Sequence, residues 1–473
     1  MVDMGTGNTR VALTDSDGKI LALRAFTNTY YRDNAYPDAQ YFLPAQWEEK
    51  ILECCDELHK ELPDIRVNAI SASGARETIV LLDKKGNAFF GLPNIDNRGR
   101  EYMADITEKD EIYRLSGKWA TEDFCGAKLL GFKKLYPDEY AKIGSVVSLD
   151  GWIGNIFTGV QTFEPSQACE TSLYDTGTKS WSEYLCSKFD VDFAILPPLL
   201  SAGSVAGRVY PRLIERFGMD EEAVFVVGGA DTQSALHQTG IKIGDVAVVS
   251  GTTTPVVTLV DEKYYDREQR VWTDVNFGGN GYVIEMNPGV TGLNYQRFKN
   301  SIVPDISYEE LEKAYEEKTD FVCTASFSSL LFYEQRGLRK GGFFMPSPYA
   351  DGFDRIDMAW AVVADIACSV YEQLYRLCDL TNFKKSYILG CGGGFRSKAL
   401  CQMLADLSGF ELRIRPGFEQ ATVNGLVALC NSALGLEDNK AAKEYTSFFP
   451  RKNRLIHKYH PVWCENRLKA NKV

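Results

Sequence analysis

The residues best suited to chemistry come at the start of the chain, in the stretch VDMGTGNTR. Its glycines let the backbone approach a ligand closely, and the Thr6 hydroxyl together with backbone N–H groups can hold an anion. Arg10 can add a bidentate contact to phosphate. Asp3 would repel a phosphate unless a cation lay between them, so the stretch predicts a phosphate bound with a metal ion. A tight hairpin turn without a ligand is the alternative interpretation.

The segments that follow decide which class of phosphate site this can be. VALTD, SDG and KILAL predict a strand, a tight turn and a second strand. A P-loop or a Rossmann dinucleotide site needs a helix directly after its glycine turn, because the helix N-terminus binds the phosphate. A strand follows here, so the sequence argues against both of those sites.

The same arrangement recurs in the second half of the chain. DVAVVSGTTTPVVTLV predicts a strand, a hydroxyl-rich turn from Ser250 to Thr254, and another strand. We therefore expect duplicated domains whose turns grip one polyphosphate from opposite sides. Further on, SYILGCGGGFRSKALCQMLADLSG predicts a strand, a glycine bend and a capped helix that ends at Gly409. Such a bend can admit the flat face of a base against bare backbone.

Other segments of the first half also have clear patterns. PAQWEEKILECCDELHKEL has apolar residues at helical spacing, among them Trp47, Ile51 and Leu58. VNAISAS predicts a buried strand, and TIVLLDKKGNAFFGL predicts a hairpin that turns at Lys85 and Gly86. VFVVGGADTQSALHQTG predicts a strand that enters a glycine turn and then a helix.

Length and composition exclude several functional classes. The 473 residues are enough for two domains, and 45% hydrophobic with 25% charged residues is an ordinary globular composition. A net charge of −12 argues against non-specific binding to nucleic acid or to anionic membranes. The apolar stretch AWAVVADIACSV is interrupted by Asp365, and the N-terminus lacks the basic and apolar regions of a signal peptide. We expect no nucleic-acid partner and no membrane span.

Cysteine and histidine usage predicts no metal centre of a familiar kind. The twelve cysteines form no C-x-x-C pair, which argues against zinc and iron–sulfur sites. We expect buried, reduced thiols in a cytoplasmic protein. The four histidines are isolated, and a packing role explains His237 at least as well as a catalytic one.

Taken in chain order, four motifs resemble those of the FGGY carbohydrate kinases. The first is a D-x-G-T opening with its arginine, seen here as Asp3 to Thr6 with Arg10, and the second is a G-G-x-D motif at Gly228 to Asp231. The third is a second phosphate turn at Gly251 and Thr252, and the fourth is a glycine-rich adenosine turn at Gly392 to Gly394 with Ser397. The resemblance implies an α/β protein with the two-domain actin-like (ribonuclease H-like) ATPase fold and an active-site cleft between the domains. It implies a sugar-binding and phosphate-1 domain over 1–240 and a nucleotide-binding domain over 241–473, which would close on the sugar.

The resemblance also implies the activity, an ATP-dependent sugar kinase that uses Mg²⁺. Asp231 would be the catalytic base, and a helix N-cap is the alternative role for this residue. Asp3 and Asp231 would hold Mg²⁺, through water as magnesium prefers. The residues implied to bind ATP are Thr6, Gly7, Asn8, Arg10, Gly251, Thr252, Gly292, Gly393, Gly394 and Ser397.

The sugar site implied by the resemblance lies in the first domain. Arg76 and Glu77 stand where glycerol kinases carry an Arg-Glu pair, which suits the hydroxyls or carbonyl of a small polyol or ketose. A surface ion pair is the alternative interpretation. PNIDNRGREY resembles the family's W-x-D-x-R segment without its tryptophan. The residues implied to bind the sugar are Arg76, Glu77, Asp96, Asp150, Asp231 and Gln233.

The subgroup that the chain resembles most is autoinducer-2 kinase, ahead of glycerol kinase and xylulokinase. The supporting segments are SGARE, NIDNR and LDGW. A non-catalytic sugar- or nucleotide-sensing member of the fold is the alternative from another functional class. Other actin-like ATPases fit less well, because activators need cluster-binding cysteines and chaperones need an appended substrate domain.

Two regions depart from the family pattern or are left open by it. Only Met1 and Val2 precede Asp3, where the family has several apolar residues, so we expect a short first strand or a true start further upstream. The basic C-terminal segment around Trp463 is expected either to pack back on a domain or to form an oligomer contact, such as that of a homodimer.

Overall fold

The computed structural model describes residues 1–328, 338, 340–348, 350–436 and 445–470. The chain divides into two compact units. Unit 1 comprises Met1–Gln238, Asp261–Tyr282 and Thr422–Ala441, and unit 2 comprises Thr239–Val260, Val283–Ala421 and Ala442–Val473.

The first 239 residues form short strands and helices in alternation. In chain order these are β1 (Val2–Met4), β2 (Asn8–Thr14), β3 (Ile20–Thr27), β4 (Tyr31–Arg32), β5 (Gln40–Tyr41), α1 (Pro44–Glu61), β6 (Ala69–Gly74), β7 (Ile79–Asp83), β8 (Ala88–Leu92), α2 (Lys109–Ser116), α3 (Cys125–Leu135), α4 (Pro137–Tyr140), β9 (Ile143–Ser148), α5 (Leu149–Thr158), α6 (Pro165–Cys169), β10 (Tyr174–Asp175), β11 (Ser180–Trp181), α7 (Glu183–Lys188), β12 (Val205–Arg208), α8 (Pro211–Phe217), β13 (Val224–Ala230) and α9 (Asp231–Thr239).

The described part of the remaining chain contains longer helices. Its elements are β14 (Val246–Val249), β15 (Val256–Val260), β16 (Trp272–Val275), β17 (Tyr282–Met286), α10 (Gly292–Ile302), α11 (Tyr308–Glu317), β18 (Thr324–Ser326), β19 (Gly342–Phe344), α12 (Arg355–Leu380), β20 (Tyr387–Cys391), α13 (Lys398–Ser408), β21 (Glu411–Ile414), α14 (Ala421–Ala433), β22 (Thr446–Phe448) and α15 (Leu455–Ala470).

The central sheet of unit 1 has the strand order β12-β13-β6-β1-β2-β3. β1 runs parallel to β6, and β6 runs parallel to β13, whereas β2 and β3 continue the sheet antiparallel to their neighbours. α1 packs its apolar face against this sheet. Its residues Trp47, Ile51 and Leu58 are buried, as their helical spacing predicts.

The central strands of unit 2 follow the order β17-β15-β14-β20-β21-β22. β14 is antiparallel to β15 and parallel to β20, β20 is parallel to β21, and β22 is antiparallel to β21. This is the arrangement of unit 1, with β14 in the place of β1 and β20 in the place of β6. The strand order therefore confirms the predicted duplication, although the two sequences share little beyond their turn residues.

The other strong sequence patterns are also confirmed. The predicted hairpins are β2 with β3 and β7 with β8, and the predicted strand and helix around Gly229 are β13 and α9. α13 ends at Gly409, whose φ of 72° is the left-handed conformation that glycine adopts readily. β1 is a strand of three residues.

The C-terminal segment packs within unit 2. Trp463 on α15 is fully buried and donates a hydrogen bond from its indole N–H to Asp365 on α12, at 2.7 Å. Arg467, also fully buried, donates to the Ser328 carbonyl at 2.5 Å. Of the two expectations for this segment, packing back on a domain is confirmed. None of the described helices has the length and apolar character needed to cross a membrane.

A β-bulge interrupts β13 shortly before α9 begins. Val226 pairs with Ser71 and Gly229 with Ser73, so two residues of β13 lie opposite the single residue between those partners. A Cβ atom on Gly228 would lie 1.7 Å from the Ala72 carbonyl oxygen. Only glycine fits here, and the bulge sets the direction in which the chain enters α9.

We expect Gly228→Ala to lower the free energy of unfolding by about 1–3 kcal/mol, the usual penalty for overpacking a buried site. Denaturant unfolding followed by circular dichroism measures the change. Gly342→Ala is the matched control, because a Cβ atom there meets no other atom within 4 Å. Equal stability of the two variants would contradict the proposed constraint on the bulge.

Candidate active site

The parallel strands of unit 1 bring three predicted site segments to one edge of its sheet. β1, β6 and β13 run in the same direction, so their carboxyl ends lie side by side. The turn after β1 begins at Gly5, β6 leads to Arg76, and β13 leads to Asp231. Ligands of open α/β sheets characteristically bind outside the carboxyl ends of the strands.

The turn between β1 and β2 is held by side chains from elsewhere in unit 1. The Gly5 N–H donates to the Asn8 carbonyl at 3.1 Å, which closes the turn. Tyr30 donates its hydroxyl to the Thr6 carbonyl at 2.6 Å, and the Asn94 amide donates to the Thr6 hydroxyl at 2.8 Å. These contacts fix the predicted phosphate turn before any ligand arrives.

The outer side of this turn is open. A Cβ atom on Gly7 would meet no other atom within 4 Å, and both Gly7 and Asn8 are exposed. The Asn8 side chain accepts a hydrogen bond from the Thr27 hydroxyl at 3.2 Å. This side of the turn is therefore open to solvent.

Asp3 lies in the middle of β1 and is 4% exposed. Register places it opposite Arg10 on β2 and opposite Ser73 on β6. Arg10 forms an ion pair with the Asp3 carboxylate, and the Ser73 hydroxyl donates to the same carboxylate at 3.3 Å. The side chains predicted to hold a metal ion and a phosphate are thus adjacent.

Asp231 is the first residue of α9, directly after the bulged strand. Its Oδ1 accepts a hydrogen bond from the Thr232 N–H at 2.7 Å. Burial raises the pKa of the Asp231 carboxyl to about 6, while the charge of Arg76 works in the opposite direction and that of Asp3 adds to the rise. Asp3, Arg76 and Asp231 are therefore close enough for the charges of Asp3 and Arg76 to act on the Asp231 carboxyl.

Arg76 takes part in a buried charge network. Its guanidinium lies 3.4 Å from the Glu170 carboxylate, which also pairs with Lys118 at 3.1 Å. Lys118 pairs in turn with Asp274 at 2.7 Å. The side chains of Arg76 and Glu170 are 10% and 1% exposed, so a surface ion pair is the wrong interpretation of Arg76.

Glu77 is held by its backbone next to this network. It adopts a φ of 57°, a left-handed conformation that is uncommon for glutamate. Lys128, which is fully buried, donates to the carbonyls of Glu77 at 2.6 Å and Asn94 at 3.3 Å. Burial and the neighbouring charge of Glu170 raise the pKa of the Glu77 carboxyl.

Asp96 is fully buried and engaged on both oxygens. Arg98 donates from its Nε to Oδ2 at 2.7 Å, and the Gln40 N–H donates to Oδ1 at 2.9 Å. Arg98 is itself buried and also donates to the Gln40 carbonyl. The structure thus ties Asp96 to its own scaffold, and it does not bring Asp96 into the Asp3, Arg76 and Asp231 group through any described contact.

Asp150 and Gln233 are both buried. Asp150 lies at the start of α5 and accepts a hydrogen bond from Ser148 at 2.7 Å, and burial raises its pKa to about 6. Gln233 on α9 is 4% exposed, and its Oε1 has no hydrogen-bond partner among the described residues. An unpaired buried acceptor has an energetic penalty unless a ligand supplies a donor.

The short helix α6 supplies residues that the sequence analysis missed. Gln167 donates to the Gly74 carbonyl at 2.9 Å, Ser166 accepts from the Ala230 N–H at 3.2 Å, and Glu170 follows at the end of the helix. Glu164 caps the helix N-terminus, and burial raises its pKa to about 8. The sequence signal was FEPSQACE, in which a capping glutamate precedes proline at N1.

In unit 2, the turn after β14 contacts two other predicted nucleotide segments. A Cβ atom on Gly292 would lie 2.1 Å from the Gly251 carbonyl oxygen, and the Leu293 N–H donates to the Thr252 carbonyl at 3.3 Å. The Gly394 N–H donates to the Ser250 carbonyl at 3.0 Å. The structure therefore brings Gly251, Thr252, Gly292 and Gly394 together.

Gly393 and Ser397 complete this group. Gly393 is exposed, and a Cβ atom there would meet no other atom within 4 Å. Ser397 caps α13 by accepting from the Leu400 N–H at 3.2 Å. The bend thus presents bare backbone, as expected for a surface that receives a flat ring.

Family comparison assigns both halves of the chain. Residues 1–237 match the N-terminal domain of the FGGY family of carbohydrate kinases, and residues 246–434 match its C-terminal domain. The chain belongs to the FGGY family of carbohydrate kinases. This confirms the resemblance and identifies the chain as a sugar kinase.

Individual relatives agree with this assignment. A protein of Bacillus subtilis named as a sugar kinase, YoaC, is 36% identical over 93% of this chain and 91% of its own length. An autoinducer-2 kinase of Yersinia pestis is 23% identical over 92% of this chain and 86% of its own length.

Solved structures confirm the predicted two-domain α/β fold. A xylulose kinase from Lactobacillus acidophilus superposes with a TM-score of 0.83 at 18% identity, covering 99% of this chain and 97% of its own. A glycerol kinase from Plasmodium falciparum, solved with ADP, gives 0.85 at 16% identity with the same coverage.

We expect Gly292→Ala to weaken ADP binding by about tenfold or more, equivalent to about 1.4 kcal/mol. The added methyl group would force the Gly251 carbonyl to move and deform the turn. Isothermal titration calorimetry with ADP measures the affinity, with Gly342→Ala as the control. If the two variants bind ADP equally well, this turn does not form the nucleotide site.

Proposed function

We propose that this sugar kinase transfers the γ-phosphoryl group of Mg-ATP to a hydroxyl of a small linear sugar, ketose or polyol, with Asp231 as the catalytic base. The observation that carries the proposal is the half-buried Asp231 carboxylate at the start of α9, whose pKa is raised to about 6 and responds to the charges of Arg76 and Asp3. A pKa in this range leaves the carboxylate ionised at neutral pH and able to accept a proton.

The proposed role of Asp231 follows from the chemistry of the acceptor. A sugar hydroxyl is a poor nucleophile, and phosphoryl transfer depends mainly on positioning and on neutralisation of charge. A carboxylate at the hydroxyl takes its proton as the bond to phosphorus forms. The positive charge of Arg76 keeps part of the Asp231 population ionised, because it opposes the rise in pKa caused by burial.

The residues around Asp3 fit a phosphate accompanied by Mg²⁺. The carboxylates of Asp3 and Asp231 act on one another electrostatically, which favours a cation near both. Magnesium bound there through water would neutralise charge on the phosphates. Thr6, Gly7, Asn8 and Arg10 would surround the transferred phosphoryl group, with the open backbone of the turn as donor.

The nucleotide is proposed to bind unit 2. Gly251 and Thr252 would hold phosphates, while the bare backbone at Gly393 and Gly394 would lie against the adenosine, with Gly292 and Ser397 supporting the two turns. We propose accordingly that the functional division of the chain falls at about residue 240.

The proposed sugar site contains hydrogen-bond donors and acceptors, and its positive and negative charges balance. The positive charges of Arg76 and Lys118 are balanced by the carboxylates of Glu170 and Asp274. Asn94 and Gln233 each have a buried carbonyl oxygen without a hydrogen-bond partner among the described residues. Unpaired acceptors select hydroxyl groups as donors, which supports a neutral polyhydroxyl substrate.

The proposed substrate class is supported by relatives named autoinducer-2 kinase and xylulose kinase. Glu77 and Asp150 are the other proposed sugar contacts, and Asp96 would act by holding its loop. Non-catalytic sensing, the alternative function, would not require a carboxylate with a raised pKa at the position of Asp231. We therefore favour a catalytic protein.

We expect Asp231→Asn to lower sugar-dependent ADP release by about 10²–10⁴-fold, the usual contribution of a general base. ADP release from Mg-ATP is measured with glycerol, xylulose, ribulose, fuculose, rhamnulose, gluconate and the linear autoinducer-2 precursor. The active compound also identifies the substrate.

The exposed Asp64→Asn substitution is the control and should leave the rate unchanged. ADP binding by Asp231→Asn should also be unchanged, which separates loss of the base from loss of the nucleotide site. Turnover by Asp231→Asn at the wild-type rate would refute the assignment of the base. No turnover by the wild type with any compound, together with normal ATP binding, would favour the sensing alternative.

We expect kcat/KM to rise with pH through about pH 6 and then level off. The base must be deprotonated to accept the hydroxyl proton, and the pKa of Asp231 is raised to about 6. Because Arg76 lowers this pKa, Arg76→Met should move the inflection to higher pH. A pH–rate profile for each protein tests both expectations.

Asp150 needs a separate control, since its pKa is also raised to about 6. Asp150→Asn should keep the inflection of kcat/KM near pH 6, even if the substitution lowers the overall rate. If the inflection disappears in Asp150→Asn, the titrating group is Asp150 and not Asp231, which would contradict the proposal.

A further inference from the structure

Three side chains of different types converge on the surface of unit 2, in a place that the proposed kinase reaction does not use. His460 and Cys464 lie one turn apart on the same face of α15, and Glu372 faces them from α12. The His460 Nε2 lies 2.9 Å from Glu372 Oε1 and 3.5 Å from Cys464 Sγ. Among the described residues, this is the one group of three such side chains whose ligand atoms all lie within 4.8 Å of one another.

The separation of the sulfur and the nitrogen is that of two ligands around one zinc ion. Zinc binds thiolate sulfur at about 2.3 Å and histidine nitrogen at about 2.0 Å in tetrahedral geometry. A sulfur and a nitrogen bound in this way are therefore about 3.5 Å apart, the separation of Cys464 Sγ and His460 Nε2. A carboxylate oxygen is the third ligand type that zinc accepts.

The His460 ring is held in position by aromatic neighbours. Tyr371 contacts it edge-on, with ring centroids 5.1 Å apart, and Trp463 stacks beside it at 6.0 Å and 19°. The Trp463 indole is itself anchored to Asp365 at 2.7 Å. A fixed ring lowers the entropy that a ligand loses when it binds a metal ion.

The same contacts also describe an ion pair without a metal. Burial lowers the pKa of His460, but the hydrogen bonds and charges of Cys464 and Glu372 outweigh burial and raise it to about 9. An imidazolium ion would then lie between the carboxylate and the thiol. An experiment must therefore distinguish a proton from a metal ion at this position.

We propose that Glu372, His460 and Cys464 bind a zinc ion, with water in the fourth position. All three side chains are partly exposed, so an ion can enter from solvent. The bound ion would tie the C-terminal helix α15 to the long helix α12. The site is independent of the proposed kinase function, because none of its ligands belongs to the candidate active site.

The usual sequence signal for zinc is absent, since the chain has no C-x-x-C pair. The two ligands on α15 have i, i+4 spacing, which places both on one face of a helix. The third ligand is 88 residues away in sequence. Only the packing of α15 against α12 brings it within reach.

Cobalt(II) titration of the full-length chain without a histidine tag tests the proposal. We expect one Co²⁺ per chain and an intense thiolate-to-cobalt charge-transfer band in the near ultraviolet. Cys464→Ser should abolish this band, and Glu372→Gln should weaken Co²⁺ affinity by more than about tenfold, since even outer-shell partners contribute that much. Cys378→Ser, a half-buried cysteine on α12, is the matched control and should bind Co²⁺ like the wild type.

Thermal unfolding with and without Zn²⁺ supplies an independent readout. An ion that binds only the folded state raises the melting temperature, so Zn²⁺ should stabilise the wild type and Cys378→Ser but not Cys464→Ser. Unfolding without metal shows whether each variant is folded. A charge-transfer band that persists in Cys464→Ser, or the lack of any band in the folded wild type, would overturn the proposal and leave the ion pair as the explanation. A change in kinase activity is not required for either outcome.

Discussion

The parallel pairing of three strands in each unit is the constraint on which both candidate sites depend. In unit 1, β1, β6 and β13 deliver Asp3, Arg76 and Asp231 to one edge of the sheet. In unit 2, the parallel set β14, β20 and β21 does the same for the turns at Gly251 and Gly393. The antiparallel strands on either side extend each sheet, and β2 adds Arg10 to the site of unit 1.

Buried charge is the second recurring feature of unit 1. Lys118, Glu170 and Asp274 are almost completely buried and linked by ion pairs. Desolvation makes such a network a poor source of stability, and the loss of one partner leaves an uncompensated charge. Its value here is in positioning: Arg76 is held by Glu170, and the field of Arg76 acts on the carboxylate of Asp231. The network therefore connects scaffold and proposed chemistry.

Local patterns predicted most of the fold and the turns that are proposed to bind nucleotide, because glycine turns and capped helices depend on consecutive residues. The cap of α13 and the hairpin after Asp3 are examples. The partner of Arg76 could not be predicted, since Glu170 directly follows a helix of five residues that is placed only by tertiary packing. For the same reason the sequence could not show that Asp96 is engaged by Arg98 and by a backbone N–H. Isolated histidines gave no signal for the group at His460.

Unit 1 is assembled from distant parts of the chain, and this affects how the protein is made. Leu426 and Leu429 on α14 pack with Val226 of β13 and with Phe277 in one buried cluster. On the ribosome, β13 emerges long before α14. At synthesis rates of about 5–20 residues per second, the intervening segment takes roughly 10–40 s. During that time the nascent chain exposes an apolar face of its first unit, so chaperone protection in this interval has a defined surface to act on.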